Sequence, residues 1–152
     1  MSILDRQNQF SAEQAVTATA ISTDVIDLGD DVTTRNIGGN QPVFLVLQTI
    51  AAATDVGSDA TLAITLESDS TANLATSATV HYSTGAMAFA TFSPALTTLA
   101  VVPLPFGQYE RYVGVRYTVA SGPLTAGTFN AFLTRDPQMW QIMQANNPTA
   151  HN

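Results

Sequence analysis

Apolar and polar residues alternate in short stretches along the middle of the chain, and sustained helical spacing is rare. Because successive side chains of a β-strand point to opposite faces, this alternation predicts strands with one buried face. In residues 112–119 the odd-numbered positions would be buried, and in residues 62–66 the even-numbered positions would be. The stretches predicted as strands are residues 16–20, 25–28, 43–50, 62–66, 79–83, 99–104, 112–119 and 128–134.

Turn residues separate the predicted strands, and the stretches between them lack the spacing of a crossover helix. Glycines 38 and 39 precede the third predicted strand, and residues 122–127 contain glycine and proline before the last one. Short strands without intervening helices favour an all-β fold, an antiparallel jelly-roll or β-sandwich of about eight strands. We predict one such domain over residues 15–135, with an N-terminal arm over 1–14 and a C-terminal arm over 136–152.

The composition excludes several classes of function. The chain of 152 residues carries a net charge of -7, and its five basic residues are all arginines without a cluster, so we expect no nucleic-acid binding. The absence of cysteine excludes disulfides and thiolate metal sites. No apolar run approaches the roughly 18 residues of a membrane span. Residues 1–10 lack the apolar segment of a signal peptide, so we expect synthesis in the cytoplasm and no membrane association.

The charged fraction, 11%, is less than half of the roughly 25% usual for soluble domains. A surface so poor in charge indicates burial in an assembly, and the alternative is a threonine-rich soluble sandwich.

The sequence contains no local motif for a serine hydrolase or a zinc protease. His81 lies in an alternating stretch, where a solvent-facing or hydrogen-bonded role is expected. Glu67 and Glu110 are the candidates for the two carboxylates that a glycosidase would need. The neighbouring Arg111 favours a simpler role for Glu110, a salt bridge where the strand begins. The acidic residues of 24–31 have the oxygen ligands that Ca²⁺ prefers, but they lack the spacing of an EF-hand and Asp27 lies in a predicted strand. Turn capping and solubility are therefore the favoured explanation. We therefore expect no enzyme activity, no metal and no cofactor.

The two arms contain apolar residues at spacings that suit a partner. In the tail, residues 139–143 follow Pro137 and would form one apolar helical face. Packing of the arms on the domain itself is the alternative. The residues proposed to contact a partner are Ile3, Leu4, Arg6, Phe10, Met139, Trp140, Ile142 and Met143.

Several segments resemble, in their order along the chain, the cement proteins of certain short-tailed phage capsids. They are MSILDRQ at 1–7, VTATA at 16–20, VIDLG at 25–29, VPLP at 102–105, ERY at 110–112, GPLTAG at 122–127 and FLT at 132–134. The chain departs from that family in residues 51–60, in 86–95 and from 139 onward. The resemblance implies a jelly-roll protein on the outer face of an HK97-like shell, which it reinforces at capsomer contacts. Its implied partners are the major capsid protein of a tailed phage and other copies of itself, as a homodimer in preference to a trimer.

A carbohydrate- or receptor-binding module of a virion is the alternative function. Such modules usually expose aromatic side chains on one sheet face, and the candidates are Tyr82, Tyr109, Tyr112 and Tyr117.

Overall fold

The computed structural model describes residues 5–30, 37 and 41–138. A 3-10 helical turn, Arg6–Asn8, precedes the first strand, and one short helix, α1 (Phe89–Phe92), follows the seventh. The strands are β1 (Gln9–Ala15), β2 (Ala20–Ile21), β3 (Ile26–Asp27), β4 (Phe44–Thr54), β5 (Thr61–Asp69), β6 (Thr79–Ser83), β7 (Met87–Ala88), β8 (Thr97–Pro103), β9 (Tyr112–Ala120) and β10 (Ala126–Thr134). In this described part of the chain, no helix has the length and hydropathy to span a bilayer.

The strands form two antiparallel sheets that pack face to face. Sheet A has the order β1-β10-β4-β8, and sheet B has the order β2-β9-β5-β6. Strand β3 also pairs with β9, and β7 also pairs with β5, so β2 with β3 and β6 with β7 form two interrupted edge strands. Eight strand positions in two sheets, with most successive strands changing sheet, are the topology of a jelly roll. The predicted fold class is confirmed.

The core lies between the sheets and consists of the faces that alternation assigns to the interior. On β9 the odd-numbered residues from 113 to 117 are fully buried, and on β5 the even-numbered residues from 62 to 66 are at most 1% exposed. The hydroxyl of Tyr117 donates a hydrogen bond to Oγ of Ser11 over 3.0 Å inside this core. This bond between the two sheets satisfies the buried Tyr117 hydroxyl, as a buried polar group requires.

The prediction of a strand over residues 16–20 is wrong. Val16 is buried, but residues 17–19 form a bend, and β2 begins only at Ala20. The alternation of valine, threonine and alanine there does not mark a strand, because only Val16 is buried and the next three residues form an exposed bend. The other seven predicted strands are present. The strand predicted over residues 79–83 has these bounds as β6, and the other six differ at one or both ends.

The predicted boundary of the N-terminal arm is also wrong. Gln9–Ala15 is strand β1 of sheet A and pairs with β10, and Phe10 is fully buried in the core. Two register shifts interrupt this pairing, and Glu13 has a positive φ of 49°. Because such irregularities break the period of two, alternation does not reveal β1 in the sequence.

The loop between β5 and β6 folds over the outer face of sheet B. Leu74 is 1% exposed and lies above Gly114, where an added Cβ would be 2.8 Å from its Cδ1 atom. Burial raises the pKa of Asp69, but hydrogen bonds from the N–H groups of Thr76 and Thr71 outweigh it and lower the pKa overall. The outward face of β9 is therefore covered here by a loop that the sequence pattern does not predict.

Candidate functional site

One end of the sandwich, which we call the terminal end, is where β1 begins and β10 ends. In the strand register Gln9 pairs with Phe132, and Thr134 pairs with Phe44, so both chain termini leave from the adjacent strands β1 and β10. Strands β3 and β5 end where β9 begins, because Asp27 and Asp69 each pair with Tyr112. Leu104, after β8, donates to the carbonyl of Val43, just before β4, so the connections after β3, β5 and β8 lie at this end. Jelly-roll topology thus brings the start of β1, the end of β10 and three connections together.

Of the predicted contact residues, Arg6 and Phe10 lie within the described part of the chain. Arg6 is exposed in the 3-10 turn at the terminal end, as a partner contact requires. Phe10 is fully buried, so its assignment as a partner contact is corrected to a core residue of β1. The other six, Ile3, Leu4, Met139, Trp140, Ile142 and Met143, lie outside the described residues.

The loop between β8 and β9 presents an exposed aromatic side chain at the terminal end. Phe106 is 78% exposed, whereas Leu104 and Tyr109 on either side of it are buried. The Tyr109 hydroxyl donates a hydrogen bond to the carbonyl of Pro105 over 2.9 Å, and the N–H of Leu104 donates to the carbonyl of Val43. The loop is therefore anchored on both sides of Phe106, which limits the backbone freedom that a partner would have to restrict.

An apolar groove of about 280 Å³ opens between the sheets at the same end. It is lined by Asn8, Ile26, Leu28, Ile37, Val43, Leu104 and Leu133. Leu104 lines the groove and also begins the loop that contains Phe106, so the groove and the exposed ring lie close together along the chain.

A polar cluster beneath the Phe106 loop contains His81. Oγ of Ser68 lies 2.7 Å from Nε2 of His81, and it accepts a hydrogen bond of 3.0 Å from the N–H of Glu110. With that N–H bonded, the Ser68 hydroxyl can donate its own proton to a neutral His81 ring. The ring stacks on Tyr109 with 3.9 Å between centroids, and Oγ1 of Thr79 donates to Glu110. The cluster joins β5 and β6 to the Phe106 loop.

The geometry of this cluster suits a structural connection better than nucleophilic catalysis. Ser68 is 0% exposed, so a substrate carbonyl has no route to its hydroxyl in this conformation. The hydrogen-bonded role expected for His81 is what the structure shows.

Burial lowers the pKa of His81 below its ordinary value of 6.5, and the charge of Glu110 opposes that shift. We expect the free energy of unfolding to decrease as the pH falls below 6.5, because the unfolded chain then binds a proton that the folded chain binds less readily. The decrease should end once the folded histidine is also protonated. Thermal melts at pH 7.5 and pH 5.5 measure it, and in His81→Gln the difference should shrink. An equal difference in both proteins would contradict this assignment.

Arg111, just before β9, forms an ion pair that differs from the expected one. Arg111 binds Asp27 through Nε over 2.9 Å and also contacts Asp30, so the expected salt bridge to Glu110 is wrong. The strand register explains the difference, because Asp27 on β3 pairs directly with Tyr112.

The two glutamates considered for glycoside hydrolysis have separate roles. Glu67 is 5% exposed and binds Nε of Arg116 over 2.9 Å, whereas Glu110 accepts from Thr79. Among the described residues, no group of three or more histidines and carboxylates is arranged to hold a metal ion.

A comparison with protein-family models finds a match to the family Bbp16 over residues 10–133. The chain belongs to the Bbp16 family. The match covers the jelly roll from β1 to β10, including the Phe106 loop and the His81 cluster. No curated protein matches the chain.

Sequence reasoning missed the Phe106 loop and the Ser68–His81 contact. A usable signal for the loop was Phe106 standing between Pro105 and Gly107, since an aromatic residue in a proline- and glycine-containing turn is often exposed. The Ser68–His81 contact has no such local signal, because it depends on the pairing of β5 with β6.

Proposed function

We propose that this Bbp16-family chain is a capsid cement protein, which binds the outer surface of an HK97-like phage shell and stabilises contacts between capsomers. The observation that carries the proposal is the terminal end, where an exposed and anchored Phe106, an apolar groove and Arg6 accompany both chain termini. Apolar surface at one end of a small domain suits attachment to another protein. The resemblance of residues 1–136 to phage cement proteins supports the same function.

The tyrosines argue against the alternative, a carbohydrate- or receptor-binding module. Tyr109 and Tyr117 are at most 1% exposed, and Tyr82 and Tyr112 are half-buried. Tyr112 also lies under the guanidinium of Arg111, 4.9 Å from its ring centroid. The four rings therefore do not line up as the exposed aromatic platform on which a sugar would stack.

A catalytic function has little support from the described residues. The Ser68 hydroxyl is inaccessible, and Glu67 is neutralised by Arg116, so neither is presented to a substrate. We propose that the protein acts without enzymatic activity, metal or cofactor. Its partners would be the major capsid protein and a second copy of itself, and its location the outside of the virion.

Self-association should use the outer edge of β8. Two register shifts interrupt β1, and the edges formed by β2 with β3 and by β6 with β7 are broken into short strands. Strand β8 has seven residues, TTLAVVP, without a charged side chain. Charged residues usually protect an exposed edge strand from pairing with another chain. Because β8 has none, we expect a second copy to pair with this edge.

We expect Val101→Lys to weaken self-association, because it places a charge on this edge strand where the side chain is only half-buried. Light scattering at micromolar concentrations should then give a smaller mass than for the wild-type protein. Thr118→Lys, an exposed position on β9 in the centre of sheet B, is the matched control and should leave the mass unchanged. A wild-type protein that is monomeric at high micromolar concentration would contradict association in solution.

The proposed function is tested by adding the purified protein to shells that lack it. We expect saturable binding at a fixed ratio to the shell subunit, and decorated shells should resist heat better than bare ones. Phe106→Ser should reduce the bound copies severalfold. Val56→Ser is its control, since Val56 is 93% exposed in the β4–β5 loop at the opposite end of the sandwich.

A double variant, His81→Gln with Glu110→Gln, tests the absence of catalysis. It should bind shells and stabilise them almost as the wild type does. Hydrolysis of a glycan or an ester that is lost in this variant would overturn the non-enzymatic proposal. Glycan binding without shell binding would overturn the cement function in favour of the carbohydrate-binding module.

A further inference from the structure

The outer face of sheet A has an apolar patch near the terminal end. Val46 lies between Leu45 and Leu47, which both point into the core, so its own side chain points outward. Phe132 lies in the same way between two core residues of β10, and it pairs directly with Val46. Phe44 and Val101 complete this outer patch, which we define as Phe44, Val46, Val101 and Phe132.

The centre of the outer patch is fully buried although it faces away from the core. Val46 and Phe132 are both 0% exposed, whereas Phe44 and Val101 are half-buried. A fully buried valine and phenylalanine on the outside of a sheet require a cover that contacts them directly. The difference in burial places this cover over β10 and β4 and leaves the edge strand β8 more open.

The chain leaves β10 beside this patch and forms a turn there. Thr134 pairs with Phe44, two residues along β4 from Val46. The N–H of Asp136 then donates a hydrogen bond to Oγ1 of Thr134 over 3.1 Å, which closes a turn, and the following Pro137 is half-buried. One strand spacing and two residues along β4 amount to roughly 8 Å, which the next few residues can easily span.

We propose that the C-terminal segment 139–152, which lies outside the described residues, packs on the outer patch of its own chain. Its Met139, Trp140, Ile142 and Met143 have the spacing of one helical face. The segment carries no aspartate, glutamate, lysine or arginine, so covering apolar surface leaves no such charge buried. The tail would then be part of the folded domain, and shell attachment would rest on the rest of the terminal end.

The chain has one tryptophan, Trp140, which makes the proposal directly measurable. In the full-length native protein we expect blue-shifted emission and severalfold weaker quenching by acrylamide than in the urea-unfolded chain. Both should be independent of protein concentration, because the contact is within one chain. Native emission equal to that of the unfolded chain would overturn the proposal. A blue shift that disappears on dilution would also overturn it, since it would mean that the tail of a second copy covers the patch.

Two tail variants test whether the apolar side of the tail is the side that packs on the patch, because each adds one carboxylate on a different side of the proposed helix. Ile142→Asp should shift the emission toward that of the unfolded chain, and Gln141→Asp, on the other side of the proposed helical face, should not. The far-UV circular dichroism of the β domain reports whether each variant folds. Deleting residues 1–4 should leave the emission unchanged, and a red shift on that deletion would overturn the proposal, because Trp140 would then be buried against the N-terminal segment and not on the patch. These outcomes do not depend on whether the protein binds a shell.

Discussion

Val115→Asp and Ile64→Asp are each expected to prevent folding. Both side chains are at most 1% exposed, on the neighbouring strands β9 and β5 of sheet B. A carboxylate placed there has no cation and no hydrogen-bond donor provided for it, and burying it costs several kcal/mol against a total stability of about 5–15 kcal/mol. Circular dichroism and thermal melts should show no cooperative transition for either variant.

Thr118→Asp is the matched control for these core substitutions. Thr118 is exposed on the outward face of β9, so its carboxylate stays in water and the melting temperature should change little. If all three aspartate variants melted alike, the inward and outward faces assigned to β9 would be wrong.

Arg116→Met is the second substitution with a large expected effect. The Glu67 side chain is 7% exposed, and Arg116 neutralises it through Nε at 2.9 Å and 3.1 Å from the two carboxylate oxygens. The same guanidinium donates from Nη2 to the carbonyl of Leu74 over 2.6 Å. Removing one partner of a buried pair leaves an uncompensated charge, so we expect the free energy of unfolding to fall by about 3 kcal/mol. Urea titration measures this change.

Two controls separate the loss of the ion pair from the loss of the arginine stem. Combining Arg116→Met with Glu67→Gln should recover part of the stability, because the buried negative charge is then gone. Arg111→Met removes a guanidinium from Asp27 and Asp30, which are 44% and 83% exposed, and should barely change the urea midpoint. Equal losses for Arg111→Met and Arg116→Met would show that burial does not set the strength of these pairs.

Under the two proposals, the terminal end and the outer patch divide the apolar surface of this chain between partner binding and packing of the tail. Phe106 and the groove remain open to a partner, whereas Val46 and Phe132 are already covered. Binding through an anchored loop avoids much of the entropy cost of ordering a terminal segment. Since one small contact gives limited affinity, pairing of two copies through β8 would strengthen attachment by holding two terminal ends together.

The strand faces could be predicted from the sequence because side-chain direction in a strand is a local property. Each residue alternates with its neighbours, so the buried sets of β5 and β9 are visible as runs of apolar residues with a period of two. Turn residues and the absence of helical spacing were enough to predict an all-β sandwich. Where β1 departs from regular pairing, at Glu13, the same signal disappears, and residues that belong to the domain look like an arm.

The site was decided by tertiary structure, because it depends on which strands become neighbours. Ser68 meets His81 only through the pairing of β5 with β6, and Arg111 meets Asp27 only because β3 pairs with β9. The full burial of Val46 likewise requires a cover that alternation along β4 cannot reveal. The sequence by itself therefore determined the type of structure and the interior faces of its central strands. The jelly-roll topology decided which distant residues share the terminal end, since long-range pairing is not encoded in any local pattern.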